Sequence, residues 1–185
     1  ASKDQDSLQE LLYARYFLAA VHEKNRRIEQ AIEQWEKIYQ KKRDFRDVAE
    51  KLSEYQDLRT DDRVKDFMTA GDEEFLGICR KLTVAMGLTV RDAEQMKGGA
   101  KVIAVEAQSK WRNARKMPKL LWFLRVTNIV DEATTRSMHE EMKKENIHRG
   151  VVVASSTFSR VASDYVESRP IDLYDKEKLQ SLLQN

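Results

Sequence analysis

Few of the residues that commonly catalyse reactions stand together in this sequence. The three histidines are far apart in the chain: His22, His139 and His148. With the single Cys79, they form no group with the spacing of a metal site. Cys79 falls on the apolar face of a predicted helix, which is typical of a core thiol rather than a nucleophile. The sequence therefore predicts no metal ion and no cofactor.

The serine cluster and the glycine pair also lack the motifs of their usual chemistry. Ser155, Ser156 and Ser159 have no G-x-S-x-G motif around them. The segment "MKGGAK" lacks the spacing of a P-loop, and Gly98 and Gly99 are typical of a hairpin turn. Neither serine nucleophilic catalysis nor nucleotide binding by a P-loop is predicted.

The most basic segment of the chain runs from Lys97 to Arg125. It contains eight basic residues and one acid, with two tryptophans among them. Basic side chains interleaved with aromatic ones can bind a phosphate backbone and stack on bases, although a solvated loop or a docking site for an acidic partner has the same composition. The residues that would bind nucleic acid are Lys110, Trp111, Arg112, Arg115, Lys116 and Lys119.

Composition limits what kind of protein this is. The 185 residues are 41% apolar, enough for one medium domain or two small ones. Charged residues make up 35% but balance to a net charge of +2, so binding of nucleic acid would depend on a local patch. One cysteine excludes an internal disulfide framework and favours a reducing compartment. No apolar run approaches the roughly 20 residues that span a bilayer.

Residues 8–58 contain no Gly or Pro, and their apolar residues recur at three- and four-residue steps. This pattern predicts amphipathic helices. The small and aromatic positions of the segment, with a second set 34 residues after Leu18 and Ala19, resemble a tetratricopeptide repeat, although Arg15 and Arg43 depart from its pattern. The resemblance implies a groove that binds a partner protein through its concave face, formed by Tyr13, Tyr16, Ala20 and Glu23.

The pattern changes after a polar stretch at residues 61–71. The order of predicted elements becomes α-β-β-β-α-β-α-β-α, with a strand at "RGVVVASS" that is apolar throughout and predicted to be buried on both faces. We therefore predict three parts: repeat-like helices over 1–60, a linker over 61–71 and an α/β domain with a mixed central sheet over 72–185. The fold class is α plus α/β.

The stretch "RGVVVASSTFSRVASDYVESRPIDLYDKEKL" resembles the Mrr-type branch of the PD-(D/E)xK restriction-endonuclease superfamily. The predicted order of elements contains the αβββαβ core of that superfamily. Its chemistry is metal-assisted hydrolysis of phosphodiester bonds, with an Asp on the second core strand and a Glu or Gln, followed after one residue by a Lys, on the third. The resemblance therefore implies a Mg²⁺ site on "AKVIAVEAQ" and "KLLWFLRV".

The residues at those positions are of different types. The third strand offers Phe123 for the carboxylate and Arg125 for the lysine, and Glu106 is the only acid of the second strand. The only E-x-K pattern in this domain, Glu141-Met142-Lys143, falls on a predicted helix, and a solvated helix surface explains it. The sequence thus favours a degenerate nuclease site, which an acid displaced from elsewhere in the chain could restore.

These patterns together predict a non-enzymatic scaffold, with a repeat groove that binds a protein and a nuclease-like domain as a platform. The alternatives are nucleic-acid binding through residues 97–125 and a divergent Mg²⁺-dependent nuclease. The combination of both parts resembles the C-terminal end of spirochaete tetratricopeptide-repeat proteins, which implies an upstream membrane anchor and further repeats. The expected location is cytoplasmic with a membrane tether, or periplasmic.

Overall fold

The computed structural model of the chain describes residues 2–107 and 116–184. Contacts divide the chain into two compact units, Ala1–Arg59 and Thr60–Asn185. No described helix is long and apolar enough to span a membrane. The helices and strands, numbered in chain order, are α1 Ser2–Lys24, α2 Ile28–Lys41, α3 Val48–Thr69, α4 Asp72–Ala85, β1 Leu88–Met96, β2 Gly99–Glu106, β3 Lys119–Leu124, α5 Glu132–Lys144, β4 Arg149–Ala154, α6 Arg160–Glu167, β5 Ile171–Tyr174 and α7 Lys176–Leu183.

The first unit is built from α1, α2 and the first part of α3. Its core gathers the predicted periodic positions around Trp35, whose ring stacks on Tyr55 with 5.5 Å between the centroids. Ala19 is fully buried, as close approach of two helices requires, but Leu18 beside it is exposed. The buried members of the core are Leu12, Ala19, Ala31, Ile32, Trp35, Ile38, Phe45 and Val48.

The polar segment 61–71, predicted as a linker, is mostly helical. Helix α3 continues to Thr69, and only Ala70 and Gly71 separate it from α4. Within the second unit, Phe67 near the end of α3 contacts Phe75 of α4, with ring centroids 5.1 Å apart. Both rings are buried in this contact. Their burial explains why a segment whose other residues are mostly polar is helical.

The second unit has the predicted element order and a mixed five-stranded sheet in the order β1-β2-β3-β4-β5. Strands β1, β2 and β3 pair antiparallel, while β3, β4 and β5 pair parallel. The carboxyl ends of the three parallel strands therefore lie at one edge of the sheet, together with the hairpin that joins β1 to β2. We call this the carboxyl edge, and the opposite one, where β3 begins, the amino edge.

Alternation of side chains along the strands gives the sheet two buried faces. On one face, Ala100, Val102 and Phe123 pack with residues of α4 and α7. On the other, Leu120, Trp122 and Val152 pack with residues of α5 and α6. β4 contributes to both cores, which confirms the prediction that this strand is buried on both faces.

Candidate functional site

The positions that the family's chemistry would use lie at the carboxyl edge. Gly99, the first residue of β2, is opposite Leu124, the last of β3. The backbone N–H of Arg125 then donates to the carbonyl of Gly98 at 2.8 Å, which holds the β1–β2 hairpin against the end of β3. These contacts fix the backbone at the point where β2 and β3 would present a catalytic pair.

Phe123 belongs to the core and not to a reactive surface. Its side chain is fully buried, and it lies opposite Ala100 on the face covered by α4 and α7. The third strand therefore presents a buried aromatic ring, and no carboxylate, at this position. That Phe123 stands at the position of a catalytic carboxylate remains a prediction.

Arg125 is held by three groups from the start of α4 and the residue pair before it. Its guanidinium carbon lies 3.9 Å from the centre of the Phe75 ring. Nη1 donates to the carbonyl of Ala70 at 2.5 Å, and Nη2 lies 3.9 Å from a carboxylate oxygen of Asp72. Arg125 therefore links the end of β3 to the start of α4, and its guanidinium already contacts a carbonyl and a carboxylate of the domain.

Replacing Arg125 with lysine should lower the free energy of unfolding by about 1–2 kcal/mol, because an ammonium cannot stack on Phe75 and reach Ala70 as a planar guanidinium does. Urea denaturation of the full chain measures this change. Arg80→Lys is the control, since Arg80 is exposed on α4, and it should alter stability by less than about 0.5 kcal/mol. Equal stability of Arg125→Lys and the parent protein would contradict this link between β3 and α4.

Glu106, the only acid predicted on the second strand, lies at the amino edge. It is seven residues from Gly99 along β2, a separation of about 23 Å at roughly 3.3 Å per residue. Its carboxylate is largely exposed and forms an ion pair with Lys119, with 2.9 Å between Nζ and Oε1. Glu106 therefore cannot share a metal ion with groups at the end of β3.

A second group of charges, absent from the sequence predictions, surrounds Lys101 of β2. Lys101 lies opposite Trp122 of β3, on the face covered by α5. Its Nζ is 2.8 Å from Oε1 of Glu141 and 3.0 Å from Oε1 of Glu145 at the end of α5. Oε1 of Glu94, on β1, is 3.6 Å away. We call these four residues the Lys101 cluster.

The contacts in the Lys101 cluster hold its two central groups in their charged forms. Burial alone would lower the pKa of Lys101, but hydrogen bonds to Glu141 and Glu145 outweigh it and raise the pKa well above its ordinary value. The hydrogen bond from Lys101 lowers the pKa of Glu141. Lys101 is thus a fixed cation and cannot serve as a general base at neutral pH.

The described residues do not fit the divalent metal that the family's chemistry implies. No group of three or more His, Cys, Asp or Glu among residues 2–107 and 116–184 is arranged to hold a metal ion. The end of β3 offers one exposed carboxylate, Asp72, beside a guanidinium. The Lys101 cluster has three carboxylates, but an ammonium stands at their meeting point. No catalytic step through a metal follows from this arrangement.

The predicted nucleic-acid residues fall partly outside the described chain. Lys110, Trp111, Arg112 and Arg115 lie in residues 108–115, which the structure does not describe. The described residues that flank this segment, Ala107 and Lys116, are exposed at the amino edge. Lys119 is half-buried and engaged with Glu106.

Three of the four predicted groove residues make contacts within the first unit. The Arg46 guanidinium lies 5.1 Å from the Tyr13 ring centre and 5.2 Å from that of Tyr16. The Tyr16 hydroxyl also donates to Asp47 at 2.7 Å. Oε1 of Glu23 accepts hydrogen bonds from Lys51 at 2.7 Å and from the Tyr55 hydroxyl at 2.8 Å, while Ala20 is exposed.

The architecture of the second unit is that of a restriction-endonuclease-like domain, and comparison with known proteins supports this class. A solved structure of the DNA modification-dependent restriction endonuclease AspBHI matches with a TM-score of 0.53 and 17% sequence identity. The match covers 70% of this chain and 35% of that one, so the chain spans about a third of its length. No curated protein matches the sequence.

Residues 67–183 match the restriction endonuclease family defined by the Mrr catalytic domain. The chain belongs to this family. The match begins within the last turn of α3 and ends with α7, and so it includes every strand of the sheet. The Mrr-type resemblance of the sequence is thereby confirmed.

Family membership corrects two predictions. The main reading, a non-enzymatic scaffold, is wrong, and so is the statement that the chain is no enzyme, because the family is one of restriction endonucleases. The alternative readings of the sequence, which involve nucleic acid, fit the family better. The tetratricopeptide repeat, its protein-binding groove, the spirochaete relationship and membrane association have no support from these comparisons.

Proposed function

We propose that this chain is a DNA endonuclease, in which the second unit binds DNA and hydrolyses its phosphodiester bonds. The observation that carries this proposal is the family match, which coincides with a complete α/β domain rather than with an isolated motif. In the hydrolysis, water adds to phosphorus and the bond from phosphorus to one ester oxygen breaks, which leaves a phosphate monoester and a hydroxyl on the two DNA ends.

The carboxyl edge carries exposed cations, beside acids such as Asp72 and Asp175. Lys97 in the β1–β2 hairpin, Arg160 at the start of α6 and Lys176 at the start of α7 are exposed there, and none forms an ion pair with another described residue. Cations without a protein partner are available to displace counterions from DNA phosphates. We therefore propose this edge as the DNA-binding surface of the domain.

Hydrogen bonds connect the loops at the carboxyl edge to one another. The N–H of Val126 donates to Oγ of Ser155 at 2.8 Å, and the Ser155 hydroxyl donates to the Val126 carbonyl at 2.7 Å. The N–H of Lys176 donates to the carbonyl of Ser156 at 3.1 Å. The ends of β3, β4 and β5 are thereby tied to one another, so a DNA strand would meet a preformed edge.

The decisive experiment incubates the full chain with supercoiled plasmid, both unmodified and cytosine-methylated, in Mg²⁺, in Mn²⁺ and in EDTA. The modified substrate is included because the similar structure is of a modification-dependent enzyme. We expect nicked or linear products in at least one condition. Plasmid that stays supercoiled in every condition at micromolar protein would overturn the endonuclease proposal.

Binding of duplex DNA, measured separately from cleavage, tests which surface of the domain contacts DNA. Reversing the charges of Lys97, Arg160 and Lys176 to Glu should weaken duplex binding and reduce the salt dependence of log Kd by about three units of slope, because three phosphates would no longer be neutralised by the protein. The matched control reverses Arg112, Arg115 and Lys116, which belong to the basic segment between β2 and β3. If only the control variant binds DNA more weakly, the carboxyl edge is not the DNA surface.

A further inference from the structure

We propose that α1 is a dimerisation helix, which pairs antiparallel with α1 of a second copy of this chain. Such pairing goes beyond the endonuclease activity and does not depend on it, because it concerns the first unit alone. It joins two copies of the second unit in one particle. The observations that point to it are the apolar side chains that the first unit leaves exposed on α1 and the charges beside them.

Helix α1 has apolar side chains on two of its faces. Leu12 and Ala19, one heptad apart, belong to the buried core of the first unit. Leu11 and Leu18, one residue before each of them, are 46% and 45% exposed. Successive residues of an α-helix are about 100° apart around its axis, so these two leucines lie outside that core. We call the exposed apolar residues on this side the outer face of α1: Leu8, Leu11, Ala14, Leu18 and Val21.

The outer face has the spacing of a coiled-coil seam. Its members from Leu11 to Val21 follow one another in steps of three, four and three residues. Apolar residues in alternating steps of three and four keep facing a second helix along its length. Single exposed apolar residues are common on protein surfaces, but a contiguous apolar stripe marks a surface that binds a partner. The partner that fits this stripe is therefore another helix.

Charges at the edge of the outer face favour a second copy in antiparallel orientation. Glu10 and Lys24 are exposed on α1 and two heptads apart, so both lie along the same edge. If two copies pair about a two-fold axis near Phe17, Glu10 of each faces Lys24 of the other, which gives two ion pairs. Neither residue forms an ion pair with another described residue of its own chain. A parallel pair would instead bring the two copies of Asp4, one heptad before Leu11, against each other.

The same antiparallel register opposes apolar side chains of complementary size. Leu18 of one copy lies opposite Ala14 of the other, and Leu11 lies opposite Val21 in the same way. A large residue thus faces a small one near the centre, which lets the two helices approach closely. Phe17, which is 60% exposed, lies beside Phe17 of the second copy at the axis. The surface is therefore complementary to itself, as a two-fold interface requires.

Size-exclusion chromatography with light scattering, on the full chain over a range of micromolar concentrations, tests the pairing. We expect a mass near twice the 21.6 kDa of one chain at the higher concentrations. Leu18→Glu should stay monomeric throughout, because it buries a carboxylate from each copy in the apolar seam. Its circular dichroism should match that of the parent, since Leu18 is exposed in the single chain. Val84→Glu is the matched control, because Val84 is exposed on α4 and its variant should dimerise as the parent does.

Exchange of charges tests the antiparallel register. Glu10→Lys replaces both ion pairs with like charges, so the Kd of the dimer should rise by about 5- to 30-fold, and Lys24→Glu should have the same effect. The double variant restores opposite charges and should return the Kd to within about threefold of the parent. Glu50→Lys is the control for net charge, since Glu50 is exposed on α3, and it should leave the Kd unchanged.

Three results would overturn the pairing of α1 with itself. The first is a parent chain that is monomeric at every concentration, which would mean that the outer face is free or is covered by another part of the chain or by a different protein. The second is a Leu18→Glu protein with the mass of the dimer. The third is a double variant of Glu10 and Lys24 that dimerises as weakly as either single variant.

Discussion

Gly99→Ala should abolish the folded state of the second unit or leave it with only a small part of its stability. An alanine Cβ at this position would lie 1.8 Å from the carbonyl oxygen of Phe123 and 2.8 Å from its carbonyl carbon. Distances this short are far below the van der Waals separation, and the opposing atoms are backbone atoms that no rotamer change can move.

Relief of this clash would require β2 and β3 to separate at the carboxyl edge. That separation would break the pairing of Gly99 with Leu124 and the hydrogen bond from Arg125 to Gly98. It would also expose Phe123, one of the largest fully buried side chains. Native domains have only about 5–15 kcal/mol of stability, so a decrease beyond about 4–5 kcal/mol removes a large part of it and unfolds a domain at the low end of that range.

Circular dichroism and urea denaturation of the full chain measure the effect, and two other glycines supply the controls. Gly98 has a φ of +79° but open space around it, so Gly98→Ala should cost only about 1–2 kcal/mol. Gly77 lies inside α4 with nothing within 4 Å, so Gly77→Ala should stabilise by about 0.5–1 kcal/mol. A Gly99→Ala protein as stable as Gly98→Ala would contradict the prediction, because it would show that β2 and β3 separate at a lower cost in free energy than these short distances imply.

Local chemistry made most of the fold predictable from the sequence. Gly98 of "MKGGAK" lies in the β1–β2 turn with positive φ, and Gly99 begins β2. Asp175, a residue type that commonly caps helices, accepts from the N–H of Lys178 at 3.1 Å. The apolar run of "RGVVVA" forms β4, which pairs with a strand on each side. Each of these signals depends on residues close in sequence, so no tertiary information is needed to read them.

The candidate site was less predictable because its contacts are long-range. Glu141 was assigned to a solvated helix surface, since its partner Lys101 is 40 residues earlier in the chain. The role of Arg125 depends equally on Phe75 and Ala70, about 50 residues away. From its residue type alone, Arg125 was predicted to stand at the position of a catalytic lysine. In the structure its contacts with Phe75 and Ala70 link β3 to α4. The polar segment 61–71 was predicted as a linker and not as helix for the same reason, because the Phe67–Phe75 contact that orders it is tertiary.

Family membership and side-chain geometry therefore answer different questions in this protein. The family match identifies the class of reaction to test, and the exposed cations of the carboxyl edge are its proposed contacts with DNA. The described side chains at the end of β3, however, include a buried aromatic residue and an engaged arginine where an acid-rich centre would stand. A cleavage assay on the parent chain and urea denaturation of the Arg125→Lys variant address these two facts separately, and each can fail without the other.

Cys79 should be almost inert to thiol reagents as long as the chain is folded. Its side chain is fully buried on α4, and burial, opposed by the Arg125 charge, raises the pKa of the thiol to about 12. Because the thiolate is the reactive form, a pKa near 12 in place of an ordinary value near 9 lowers the reactive fraction at pH 8 by about 10³-fold. Exclusion of the reagent by the core slows the reaction further.

Reaction with Ellman's reagent at pH 8, with and without guanidinium chloride, measures this difference for the parent chain. We expect about one thiol per chain to react within minutes after unfolding and at least about 10³ times more slowly before it. Ile129→Cys in a Cys79→Ala background is the control, since Ile129 is 66% exposed and its replacement should react rapidly in the folded protein. Rapid labelling of Cys79 in the folded parent would show that α4 opens readily from the sheet. It would also return this thiol to the groups that a mechanism for the domain has to consider.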